Sequence, residues 1–172
     1  MVAVSFGDAA VITAGSGVLW GTADGDLTAS LELLTRHDRA LNVGEISGMW
    51  LDLTWGSMLL ALDRSGAVER LARAARAADQ LNAPHAFDLA LRQLAILAAE
   101  SGLMEPAAAW VTFIEANLRP HRIENPGSTR VQARLDRAVA GVPEHPTEAP
   151  LHRGEIVALV AEIETALAQP AA

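Results

Sequence analysis

Ser65-Gly66 returns as Ser101-Gly102, Glu69 as Glu105, Ala72 as Ala108 and Pro84 as Pro120, each 36 residues further on. A period of that size marks one supersecondary unit that cannot bury its apolar face alone, so neighbouring units must stack. The repeated residue types say what the unit is. Glycine permits a tight turn between paired helices, alanine lets them approach closely, and proline closes one unit and opens the next. The repeat predicts an all-α fold of stacked antiparallel helical hairpins, with about seven or eight helices.

Composition supports helix. Of the 172 residues, 51% are hydrophobic but only 4% aromatic, and tyrosine is absent. Alanine, leucine and valine must therefore fill the core, and the alanine and leucine among them favour helix. With no cysteine, disulfides, thiolate metal sites and a cysteine nucleophile are excluded.

The helical pattern begins at Asp26, a capping residue for a helix carrying Leu27, Leu31, Leu34 and Ala40. A second helix, 45–64, is apolar on nearly all faces, so it is expected to be central. Further helices are expected over 67–82, 85–100 and 104–118, with Pro84 in a first turn. The stretch 119–127 reads as loop, Ser128 as the cap of a short helix to Ala140, and 141–150, with three prolines, as a linker. The last helix, 151–168, aligns Ile156, Leu159, Val160, Ile163 and Leu167 in a stripe that should dock on the body. This divides the chain into a repeat domain (1–140), a linker (141–150) and a docking helix with its tail (151–172). A β segment at Val2 to Phe6 is conceivable.

On these residues the chain resembles the tetratricopeptide family. Trp55 lies eleven residues before Gly66, where that motif carries its tryptophan. Ala75 and Ala78 fall at its later phenylalanine and alanine, and Pro84 and Pro120 within one residue of its closing proline. The pattern departs where Leu59 and Ala95 replace the first-helix glycine, Leu62 and Ala98 the tyrosine, and Leu91 a second tryptophan. The likeness covers 55–120. A broader one rests on Val68-Glu69-Arg70-Leu71-Ala72-Arg73-Ala74-Ala75-Arg76-Ala77-Ala78 and Gly154-Glu155-Ile156-Val157-Ala158-Leu159-Val160-Ala161. These look similar to the C-terminal helical region of actinobacterial LuxR-type and related signal-transducing ATPase regulators. That resemblance implies a sensing or docking scaffold in a transcriptional or signalling regulator, either free-standing or part of a longer chain. No Walker loop and no basic recognition helix accompanies it. All 13 basic residues are arginine, as in a GC-rich bacterial coding sequence.

The net charge of −8 disfavours nucleic acid and anionic lipid as partners of the whole chain. The start lacks a cationic signal-peptide region, and the run Ala9 to Gly21 is too short to span a bilayer. A cytoplasmic protein that binds another protein or peptide, with no membrane partner, is the expectation.

Arg70, Arg73 and Arg76 form the preferred partner-binding row, since such a row grips carboxylates or phosphates. The plainer reading is a solvated face with Glu69 and Arg73 paired at i, i+4. Trp50, Trp55 and Trp110 could line an apolar pocket between helices, which would make the chain a small-ligand sensor; otherwise they are core. Gly15, Gly17 and Gly21 miss the dinucleotide spacing because Trp20 takes the third glycine's place. His37, His85, His121, His145 and His152 contain no metal motif, and His145 and His152 with Glu144, Glu148 and Glu155 would need the linker to fold back. His85 and Asp88 share a helix face. No nucleophile elbow surrounds Ser16, Ser47 or Ser57. Asp52 and Asp63 stand roughly 16 Å apart along one helix, too far to act as an acid–base pair. No catalytic residue, cofactor or metal is expected.

Overall fold

The computed structural model describes residues 26–37, 44–117, 126–140 and 152–168. They form helices joined by short turns and single connecting residues: α1 (Leu27–His37), α2 (Glu45–Ala61), α3 (Ala67–Gln80), α4 (Pro84–Glu100), α5 (Met104–Asn117), α6 (Pro126–Val139) and α7 (Arg153–Ala168). The all-α expectation holds, with seven helices among the described residues. The glycine run at 15–21, the possible strand at 2–6, Ala40 and the linker 141–150 lie outside them.

Local chemistry sets the ends. Asp26 Oδ1 accepts from the amides of Thr28 (2.8 Å) and Ala29 (3.1 Å), two donors the first turn of α1 leaves free. Pro84 opens α4, where a missing N–H costs nothing. Three helices close in the same way. The amides of Arg64, Ala83 and Leu103 each donate to a carbonyl five residues back, Leu59, Ala78 and Ala98, at 2.8 Å. The residue before each, Asp63 (φ 49°), Asn82 (φ 49°) and Gly102 (φ 80°), takes the left-handed conformation this closure requires.

These closures correct the repeat's register. Gly102 ends α4, whereas Gly66 (φ 89°) stands at the start of α3, and α2 ends on Asp63 instead. The first helices of the two hairpins begin at 45 and 84, and their left-handed residues fall at 63 and 102. The structural period is thus 39 residues for these helices. The second helices begin at 67 and 104, 37 residues apart, because the α2–α3 turn is the longer by two, and the Ser-Gly pairs align at 36 because Gly66 directly precedes α3 whereas Leu103 separates Gly102 from α5.

The close-approach glycine moves too. Gly56 of α2, not position 59, faces α3: a Cβ there would lie 2.7 Å from Leu71 Cγ. Its counterpart 39 residues on is the buried Ala95.

The central helix is α4, not α2. Eleven of its 17 residues are buried, and it packs against α2, α3, α5 and α6. α2 is apolar all round for another reason: one side meets α3 and α4, while Trp55 and Met58 on another join Leu34 of α1 in a satellite cluster. Ile46 and Trp50 remain exposed.

α6 begins at Pro126, two residues before the expected cap at Ser128, because proline suits a first helical position. It rests on α4 and α5. α7 docks as its stripe predicts. Ile156, Val160 and Ile163 are buried in the main core, Leu159 and Leu167 partly so, against α3 and α5.

Candidate functional site

Within α4 the residues that reach solvent between its ends are few. His85, Asp88 and Arg92, spaced three and four apart, lie on one strip, and Leu97 is half-buried elsewhere. Residues from α2 and α6 border this strip. The Trp50 and His85 rings lie 6.3 Å apart between centroids, tilted by 50°. Arg92 Nε donates to Asp88 Oδ1 at 2.9 Å, and its Nη1 donates to Gln132 Oε1 of α6. Gln132 Nε2 in turn donates to Asp136 Oδ1 at 2.6 Å. The result is a polar ladder across α4 and α6, with an apolar lip at the α2 edge. Ile46 (63% exposed) and Trp50 (39%) form that lip, one helical turn apart. Sequence reasoning noted His85 and Asp88 as a local pair but missed Arg92 and Gln132. The available signal was Arg92 interrupting an otherwise apolar helix.

The three arginines of α3 occupy another surface, and each meets its own chain. Arg70 Nη1 binds Asp52 Oδ1 of α2 at 2.9 Å, and its guanidinium lies 3.5 Å from the centroid of the Trp55 ring. Arg73 reaches the same Asp52 oxygen at 3.2 Å and Glu69 at 3.3 Å, as the i, i+4 spacing suggests. Arg76 Nη1 binds Glu164 Oε2 of α7 at 2.9 Å. Asp79, one turn further, pairs with Arg153 of α7. The row thus winds around α3 from the α2 side to the α7 side, neutralised at both ends. Two nitrogens inside this seam, Arg73 Nε and Arg153 Nη2, are buried without a hydrogen-bond partner.

The structure separates the three indoles proposed as a pocket. Trp50 is on the surface, Trp55 packs in the satellite cluster under Arg70, and Trp110 is fully buried in the main core. Trp110 Nε1 donates to the Ile156 carbonyl at 3.3 Å, which ties α5 to α7.

Arg134 of α6 makes a further clip. Its guanidinium meets both Glu100 oxygens at 2.9 Å, Asp63 Oδ1 at 3.0 Å and the Leu60 carbonyl at 3.1 Å. The hydrogen bond to Glu100 raises its pKa above the ordinary arginine value; burial opposes this and Asp63 adds to it. An open cleft of about 480 Å³ beside it is lined by Glu100, Arg134, Arg137 and Ala138.

Asp52 and Asp63 pair with different arginines and form no acid–base couple. Among the described residues no group of three or more His, Asp or Glu is placed to hold a metal ion, and no helix is long and apolar enough to cross a membrane. His152 serves a helix start: its amide donates to Glu155 Oε2 at 2.8 Å. The chain matches no protein-family model, no curated protein and no solved structure.

Proposed function

We propose that this chain is a protein-interaction module of the helical-hairpin kind, and that the outward face of α2, α4 and α6 is its docking surface. The observation that carries the reading is the strip His85–Asp88–Arg92 on an otherwise buried helix, edged by the exposed Ile46 and Trp50. Tryptophan and arginine dominate binding energy at protein interfaces, and an apolar anchor beside a hydrogen-bonded polar rim is their usual setting. The ladder through Arg92 and Gln132 already holds these side chains in hydrogen bonds, which reduces the side-chain entropy to be lost on binding.

Docking on Arg70, Arg73 and Arg76 is less favoured on energetic grounds. A ligand there would have to displace Asp52 or Glu164 from pairs already made. The partner is a protein or peptide, since a net charge of −8 repels nucleic acid and anionic membranes. A cytoplasmic bacterial regulatory assembly is the setting that the resemblance implies.

The test is affinity capture with three forms of the chain: wild type, Ile46→Ser/Trp50→Ser and Arg73→Glu/Arg76→Glu. A stoichiometric partner lost only with the first variant supports this surface. Loss only with the second transfers the site to α3. A partner held equally by all three rejects both surfaces.

A further inference from the structure

α2 carries two tryptophans, and only one has a cation on its ring. The Arg70 guanidinium lies 3.5 Å from the centroid of the Trp55 ring while its Nη1 donates to Asp52 Oδ1 at 2.9 Å. An indole face and a carboxylate together hold that arginine, the ring through its negative π-face and the acid through a charge-assisted hydrogen bond. Trp50, 39% exposed, has no arginine over its ring among the described residues.

The same two ingredients stand at the Trp50 edge. His85 meets the indole at 50°, so the two rings form an open wedge rather than a flat stack. Asp88, one turn on from His85, accepts from Arg92 Nε through Oδ1, and its Oδ2 takes no hydrogen bond among the described residues. Glu45, next to Ile46 in the first turn of α2, is exposed and pairs with no basic side chain among the described residues. α2 contains no arginine or lysine, and α4 only Arg92, which Asp88 and Gln132 already hold. This edge is therefore aromatic, apolar and acidic, on a chain of net charge −8, and a cation is the group that complements it.

Granted the α2–α4–α6 docking face proposed above, on which this rests, we infer that its Trp50 edge receives an arginine side chain from a peptide segment of the partner protein, with an apolar residue beside that arginine resting on Ile46. Arginine fits better than lysine, because its planar guanidinium stacks on the indole while its edge N–H groups stay free for Asp88 or Glu45. No internal pair has to break, in contrast to the Arg70, Arg73 and Arg76 row.

The experiment selects binders from a displayed random peptide library on the immobilised full chain. Each recovered peptide is then synthesised and titrated against wild type, Trp50→Ser and Ile46→Ser. Peptides that need Trp50 should share an arginine next to an apolar residue. Exchanging that arginine for citrulline, which keeps the planar group without the charge, should weaken binding about fivefold or more, and lysine should also bind more weakly. Glu45→Gln combined with Asp88→Asn should weaken the arginine peptide by a similar factor and leave the citrulline peptide unaffected. Glu45→Gln alone disturbs no internal ion pair, so a loss of binding with it does not act through the fold. Peptides that need Trp50 but bind equally with citrulline or lysine, or ignore the two carboxylate changes, overturn the arginine assignment and leave the docking face standing. If no recovered peptide depends on Ile46 or Trp50, the face fails together with it.

Discussion

Gly56 and Leu71 meet so closely that α2 and α3 leave no room for a methyl group between them: a Cβ on residue 56 would come within 2.7 Å of Leu71 Cγ and 3.2 Å of its backbone nitrogen. Gly56→Ala should therefore destabilise the chain. The gain in helix propensity is about 1 kcal/mol, and overpacking costs roughly 1–3 kcal/mol, so the loss should be on the order of 1 kcal/mol. Gly154→Ala meets nothing within 4 Å and should stabilise α7 by up to about 1 kcal/mol. Urea unfolding of both variants measures the two signs, and equal shifts would contradict the close crossing.

Arg134 ties two helix ends to α6 at once, because Leu60 and Asp63 close α2 and Glu100 closes α4. Arg134→Lys keeps the charge but loses the two-pronged fit to Glu100. We expect a cost of about 1 kcal/mol for lysine and about 1–2 kcal/mol for alanine, moderated because Glu100 and Asp63 are partly in water.

The pH dependence of this clip has a definite sign. Arg134 has a folded pKa raised above its unfolded value, so its stabilisation is complete below the unfolded value and lost only as pH rises through the folded one. The stability difference between wild type and Arg134→Ala should stay constant between about pH 7 and about pH 10. Chemical denaturation at several pH values checks it.

Trp110→Phe keeps most of the buried ring and removes the hydrogen bond to the Ile156 carbonyl. It should cost about 1 kcal/mol, and amide exchange in α7 should accelerate more than in α4. Equal acceleration would mean that the indole serves the core at large rather than the α7 contact.

Asp26→Ala removes the acceptor for two amides at the start of α1. A loss of about 1 kcal/mol is expected. Leu34 anchors α1 against Trp55, so the indole fluorescence of Trp55 should change with it.

How far the sequence foretold this varies with the physics involved. The Asp26 cap, the Pro84 start and the α7 stripe were legible because each depends on neighbours within one or two turns. The left-handed residues Asp63 and Asn82 were not, since neither is glycine and their conformation is enforced by the helix closures around them. The centrality of α4 was hidden by its alanines, which carry little hydropathy yet pack most closely. The α2–α4–α6 strip was half visible, as His85 and Asp88, because Trp50 and Gln132 join it only through tertiary packing. The arginine row was legible as a row, but its partners Asp52 and Glu164 lie 18 to 88 residues away from it.

That last separation bears on how the chain assembles. Arg70 finds Asp52 across 18 residues, whereas Arg76 must wait for Glu164 across 88. Closing the larger loop carries the greater entropic penalty, and contacts distant in sequence form more slowly. The α2–α5 hairpins should thus complete their turns early, with α7 arriving on a prebuilt surface as the closing event of folding. Its anchors, Ile156, Val160 and Ile163, would then leave the folding rate nearly untouched when truncated and mainly accelerate unfolding.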